Sequence, residues 1–123
     1  MKKELVRDWM TTDVITITPD MTLPEAHQLM TNEEIRRLPV VDKGGRLVGI
    51  VSIGDVRSAE PSPATSLSIW ELNYLLSTLT IGKIMTASPY TITPEATLAE
   101  AARMMLEHRV SGLPVVDDEH HVI

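Results

Sequence analysis

Leu38-Pro39-Val40-Val41-Asp42 recurs 75 positions later as Leu113-Pro114-Val115-Val116-Asp117. The identity spreads outward from this run. Residues 10–48 align without a gap to residues 85–123, and 16 of the 39 pairs are identical. They include Met10/Met85, Thr11/Thr86, Thr16-Ile17-Thr18-Pro19 against Thr91-Ile92-Thr93-Pro94, Thr22/Thr97, Leu23/Leu98, Glu25/Glu100, Ala26/Ala101 and Met30/Met105. One unit carried twice is expected to fold as two copies about a pseudo-twofold axis. A cleft between such copies is a natural ligand site.

Each copy has its own local signals. Val14-Ile15-Thr16-Ile17-Thr18 is β-branched throughout and reads as a short strand that Pro19 stops. Thr22-Leu23-Pro24-Glu25 and Thr97-Leu98-Ala99-Glu100 are capping boxes, each opening a helix. The core stripes are Leu23, Ala26, Leu29 and Met30 in the first helix. In the second they are Leu98, Ala101, Ala102, Met105 and Leu106. The Leu-Pro-Val-Val run then reads as a strand, Gly44-Gly45 as a hairpin turn, and Arg46 to Ser52 as the returning strand. A short helix is expected to start at Asp55-Val56-Arg57. The unit is β-α-β-β-α. The second copy stops at Ile123, the equivalent of Val48, so the reading is an α/β (α+β) fold whose second repeat is truncated at its C-terminus.

A turn-rich stretch, Glu60 to Ser66, separates the copies. It leads into a helix capped by Ser66 or Ser68 with Ile69, Leu72, Leu75, Leu76 and Leu79 on one face. Trp70 and Tyr74 edge that face. It either packs on its own domain or helps a second subunit to dock. The expected division is 1–59, 60–80 and 81–123.

Composition narrows the function. The net charge of −6 disfavours nucleic acid, whose phosphates would be repelled. The absence of cysteine excludes disulfides, thiolate chemistry and cysteine-ligated zinc. No stretch approaches the ~20 apolar residues of a membrane span, and the first residues do not form a signal peptide, so a cytoplasmic protein is expected. His108, His120 and His121 lack a ligating pattern, and no metal is expected. No nucleophile is paired with a base, so no catalytic residue, enzyme activity or cofactor is expected.

Met-Thr, a Thr-capped helix, Arg36-Arg37-Leu38-Pro39-Val40-Val41-Asp42, a turn, and Gly49-Ile50-Val51-Ser52-Ile53-Gly54-Asp55 together resemble the cystathionine-β-synthase (CBS) domain. Two in tandem resemble a Bateman module. The resemblance implies repeats packed sheet to sheet with an adenosine-containing ligand in the cleft, and further pairing into a homodimer. Gly49 to Asp55 matches the family's ligand pattern of Gly, two residues, Ser or Thr, two residues, Asp. Asp55 can accept from both ribose hydroxyls, and Ser52 with the backbone near Gly54 suits a phosphate. Equally, Ser52 and Asp55 can simply cap the helix. Arg36 and Arg37 fall at the family's phosphate-contacting positions, and adjacent side chains point apart, so one of them is expected to reach a given ligand. From the other repeat the resemblance brings Ser88 and Tyr90, then Val110, Ser111 and Gly112, against the adenine. Only the first repeat carries the Ser/Asp pair, so one competent site is expected.

The resulting expectation is a regulatory module sensing AMP, ADP, ATP or a related adenosyl ligand and acting on an effector protein that the sequence does not identify. The alternative is a dimerisation or partner-docking module with a vestigial pocket.

Overall fold

Pro39 and Pro114 decide how far each sheet extends. The computed structural model describes residues 4–60 and 67–123. Ile17 lies parallel to Val40, its N–H donating to the Pro39 carbonyl while the Val41 N–H donates to its own. The next bond of a parallel ladder would need an N–H on residue 39, and proline has none. Val14–Thr18 is therefore a single bridge at Ile17 and not the strand that its β-branched composition predicts. Ile92 meets Val115 beside Pro114 in the same way.

In the first repeat, helix α1 spans Val6–Trp9 and α2 spans Leu23–Glu33. Strands β1 (Arg37–Val41) and β2 (Leu47–Ser52) form the hairpin, turning at Gly45 with φ +83°. Helix α3 (Ile53–Ala59) follows, then α4 (Ile69–Thr78), α5 (Ile81–Ile84), β3 (Thr86–Ala87) and α6 (Leu98–His108). The sheet order is β1-β2-β3, antiparallel throughout. Register pairs Leu38 with Val51 and Val40 with Gly49 on one face, Arg37 with Ser52 and Pro39 with Ile50 on the other. The first face meets Leu23, Ala26 and Met30 of α2, Val56 of α3, and Ile17 and Ile81 in one core. β3 approaches so closely that a Cβ on Gly49 would lie 2.5 Å from Met85 Sδ and 3.0 Å from the Thr86 carbonyl oxygen.

The helix starts follow the sequence. Thr22, Ser52, Ser68 and Thr97 each accept an N3 backbone N–H. In α2 the Glu25 carboxylate accepts the Thr22 hydroxyl, where the capping-box reading gave it the Thr22 N–H. Helix α3 begins two residues before Asp55, because Ser52 is its cap. In α6 the inward side chains are Leu98, Ala101, Met104 and Met105, whereas Ala102 and Leu106 are exposed, contrary to the expected stripe. In α4 only Leu72 and Leu76 are half-buried, as is its C-cap Leu79, while Ile69 and Leu75 are exposed with Trp70 and Tyr74. The linker reading at 61–66, including Ser66, lies outside the described residues.

The repeats exchange the segments that precede them. Val6 N–H donates to the Ala96 carbonyl, Arg7 N–H to Pro94, and Leu98 N–H to Glu4. Seventy-five positions on, Ile81 donates to Met21, Gly82 to Pro19, and Leu23 to Leu79. Val6 packs in the second repeat's core with Ile92 and Ala101, and Ile81 packs in the first. Residues 5–9 and 80–84 share no identical pair, so the identity search stops at Met10 and misses this exchange.

The second repeat has bridges in place of long strands: Ile92 with Val115, and Val116 with Val122. Its turn mirrors the first. Asp117 Oδ1 accepts the His121 and Glu119 N–H groups at 2.8 and 2.9 Å, as Asp42 Oδ1 accepts those of Arg46 and Gly44. The two turns meet where Arg46 bridges to His121.

Two outcomes follow from this packing. Ile81→Ala, which empties a fully buried site, is expected to cost about 2–5 kcal/mol in urea unfolding. The His121 N–H, with that of Glu119, holds the Asp117 carboxyl below the usual carboxylate range. A depressed carboxylate contributes stability above its ordinary value of about 3.9 and loses it as pH falls through the folded value. Asp117→Asn should therefore flatten the acid limb of stability against pH, read from urea midpoints taken below about pH 5.

Candidate functional site

The second face of the β1–β2 hairpin, carrying Arg37, Pro39, Ile50 and Ser52, looks toward the other repeat. Two cavities open along it. One, of about 420 Å³, is lined by Ile50, Thr86, Ala87, Ser88, Pro89, Tyr90, Val110, Gly112 and Pro114. The other, of about 470 Å³, includes Thr11, Asp13, Val14, Ile15, Ile35, Arg37 and Pro39. Those seven are the equivalents, 75 positions earlier, of Thr86, Ser88, Pro89, Tyr90, Val110, Gly112 and Pro114. Pseudo-twofold symmetry thus reaches the cavities themselves. The backbone repeats too, with Asp13 at φ +54° and Ser88 at φ +49°.

The two cavities differ chemically. Ser88 and Tyr90 stand in the smaller where Asp13 and Ile15 stand in the larger. The larger also holds Glu34, in the left-handed C-cap position of α2, and extends to Val122 and Ile123. The Tyr90 ring stacks on His108, with centroids 3.7 Å apart and planes 11° from parallel. His108 therefore backs one cavity wall, a role that sequence reading does not supply.

Ser52, Gly54 and Asp55 stand at the strand end beyond Ile50. Alternation along β2 puts Ser52 on the same face as Ile50, about 7 Å further on. Ser52 and Asp55 form a complete capping box: the Ser52 N–H donates to Asp55 Oδ2 at 2.9 Å, and the Asp55 N–H donates to Ser52 Oγ at 3.1 Å. Asp55 Oδ1 accepts no hydrogen bond among the described residues. Gly54 is exposed on the first turn of α3.

The two arginines separate as alternation requires. Arg36 lines an outer cavity with Arg57, Thr31 and Glu34, and its carbonyl accepts the Ile53 N–H. Arg37 crosses to the second repeat, where its guanidinium donates to Ser111 Oγ. The structure thus gathers Ser88, Tyr90, Val110 and Gly112 around one cavity, with Ser52 along the same face. It ties Ser111 to Arg37 and sends Arg36 elsewhere. Sequence reading, which named the segment 88–90 with Pro89 in it, passed over Ile50, Thr86, Ala87 and Pro114. Period-two counting back from Ser52 finds Ile50, and subtracting the repeat offset from the smaller cavity finds the larger.

The protein-family model for the CBS domain matches residues 6–62 and 81–123. A CBS domain-containing protein of Dictyostelium discoideum is 36% identical over 121 residues, covering 98% of this chain and 83% of its own length. The homoserine O-acetyltransferases that match are enzymes of which the chain spans 21–22%. A solved CBS domain pair in complex with 5-methylthioadenosine and S-adenosyl-L-methionine superposes with a TM-score of 0.81 at 29% identity, over 99% of this chain and 87% of that one. A CBS-pair protein of Arabidopsis thaliana in complex with AMP gives 0.79 at 30% identity, over 98% and 87%. Among the described residues, no helix is long and apolar enough to cross a membrane.

The capping role of Ser52 has a direct consequence. Ser52→Ala removes the side-chain acceptor at the start of α3 and should lower stability by about 1 kcal/mol in urea unfolding, a loss that Ser52→Thr largely avoids.

Proposed function

Because this chain belongs to the CBS domain family as a tandem pair, we propose that it is a regulatory module that binds an adenosine nucleotide or related adenosyl ligand between its repeats. The single observation that carries this is the 420 Å³ cavity, where Ser88, Tyr90, Val110 and Gly112 of one repeat face Ile50 of the other. Ile50 and Val110 offer apolar surfaces to a flat base, and the Tyr90 ring is already held by His108. Backbone groups around Ser88 and Ser111 can read the base edge. Asp55 Oδ1, which accepts no hydrogen bond among the described residues, suits a ribose hydroxyl, and Ser52 and Gly54 suit a phosphate. Arg37, or Arg36 from the outer side, supplies the positive charge that an acidic chain otherwise lacks. The complexes of related CBS pairs with AMP and with S-adenosyl-L-methionine support the adenosyl class.

In this reading 1–59 and 81–123 act as the ligand-holding repeats and 60–80 as the connection. Binding shifts the repeats relative to one another, and an effector protein reads the shift. A cytoplasmic setting goes with such ligands. Homodimer formation fits the α4 face, where Ile69, Trp70 and Tyr74 are exposed and Glu71 is the only charge in the helix. A second reading, a docking module with a vestigial pocket, is favoured by the way Ser52 and Asp55 already satisfy one another.

Calorimetric titration with AMP, ATP and S-adenosyl-L-methionine separates the two. Saturable binding of at least one, weakened at least tenfold by Asp55→Ala, is the expected result; such a loss corresponds to about 1.4 kcal/mol. A dimer that binds none of the three would favour the docking module.

A further inference from the structure

Arg37 and Gly112 occupy the same position in the two repeats, and they touch. A Cβ on Gly112 would lie 3.2 Å from Arg37 Cδ and 3.4 Å from its Nε. Equivalent positions in contact lie beside the pseudo-twofold axis, where two long side chains would collide. Here a long side chain meets a residue that has none. The Arg37 stem uses the space over Gly112, and its Nη2 donates to Ser111 Oγ across the cleft. Gly112 lines both cavities, and Arg37 lines the larger. Register places Arg37 opposite Ser52, on the face that looks into the cleft. Asp13 and Glu34 share the larger cavity, yet among the described residues Arg37 forms no ion pair. Among the described residues its charge is met by a neutral hydroxyl.

A guanidinium held by one serine is easily claimed by a better acceptor. A phosphate offers two charged oxygens in the geometry of the guanidinium fork. We propose that the Arg37–Ser111 hydrogen bond is a catch between the repeats, and that a ligand phosphate entering the cleft draws Arg37 off Ser111 and frees one repeat to move against the other. This rests on the nucleotide reading above and deepens it: the phosphate, not the base, carries the signal. Ligand and catch compete for one side chain, so removing Ser111 should strengthen phosphate binding while removing Arg37 should weaken it.

The experiment is a double-mutant cycle of Arg37→Met and Ser111→Ala in urea unfolding, run in chloride, in pyrophosphate at equal ionic strength, and in AMP. Calorimetric titration with AMP and adenosine accompanies it. The two substitutions should couple in chloride and become additive in saturating AMP or pyrophosphate. Ser111→Ala should bind AMP roughly five-fold more tightly, with adenosine unchanged. Arg37→Met should lose the preference for AMP over adenosine. Absence of coupling in chloride, or coupling that persists in both anions, overturns the proposal. Coupling that pyrophosphate abolishes in a protein that binds neither AMP nor adenosine upholds the catch and overturns the nucleotide reading. AMP binding with the coupling untouched, in AMP as in pyrophosphate, upholds the nucleotide reading and overturns the catch.

Discussion

The two repeats are joined by backbone hydrogen bonds in which each receives the segment that precedes the other. Val6 and Arg7 donate into the second repeat, and Ile81 and Gly82 into the first. Neither core is complete alone. The first needs Ile81, fully buried among Leu23, Leu38 and Val56, and the second needs Val6. This exchange sets which segments of the two copies pair. Backbone groups buried between segments must find partners, and partners in register are offered only at one placement. It also leaves the cleft free of core duties, so that its residues can serve a ligand.

The sheet divides the same way. One face of β1 and β2 is spent on the core, with Leu38, Val40 and Val51 fully buried against the helices. The other presents Arg37, Pro39, Ile50 and Ser52 to the second repeat. β3 adds the opening residues of the second repeat to the edge of the first, which brings Ser88 and Tyr90 within reach of Ile50. Gly49 permits that approach, since any side chain there would strike Met85. The cavity is thus built by strand pairing between repeats, and the side chains inherit their positions from it.

Local stability and ligand chemistry meet at Ser52 and Asp55. The same two groups that close the start of α3 are those that the proposed function gives to a ribose and a phosphate. These roles are compatible because a carboxylate has two oxygens and a hydroxyl two lone pairs, so a cap uses only part of their capacity. Arg37 shows a different economy. Its stem needs the vacancy at Gly112, its head needs Ser111, and both come from the repeat that does not carry it. Arginine at both 37 and 112 would crowd the axis, so the departure of Gly112 from Arg37 is a packing requirement as well as a chemical difference.

The sequence by itself determined the repeat, the helix caps at Thr22 and Thr97, the hairpin at Gly45, the strand through Leu38 to Val41, and the family to which the chain belongs. Each rests on neighbours within a few positions or on identity at a fixed offset, and both are visible along a line. Even the shortening of the first strand was present in Pro39, for a reader who asks which side of the strand its missing N–H would face. The exchange of the leading segments, the stacking of Tyr90 on His108, the reach of Arg37 to Ser111 and the outward placement of Leu106 were decided by tertiary structure. They depend on which surfaces of two distant copies meet. A periodicity gives the face of a strand or helix but not what lies opposite it, and in this chain what lies opposite is most often the other repeat.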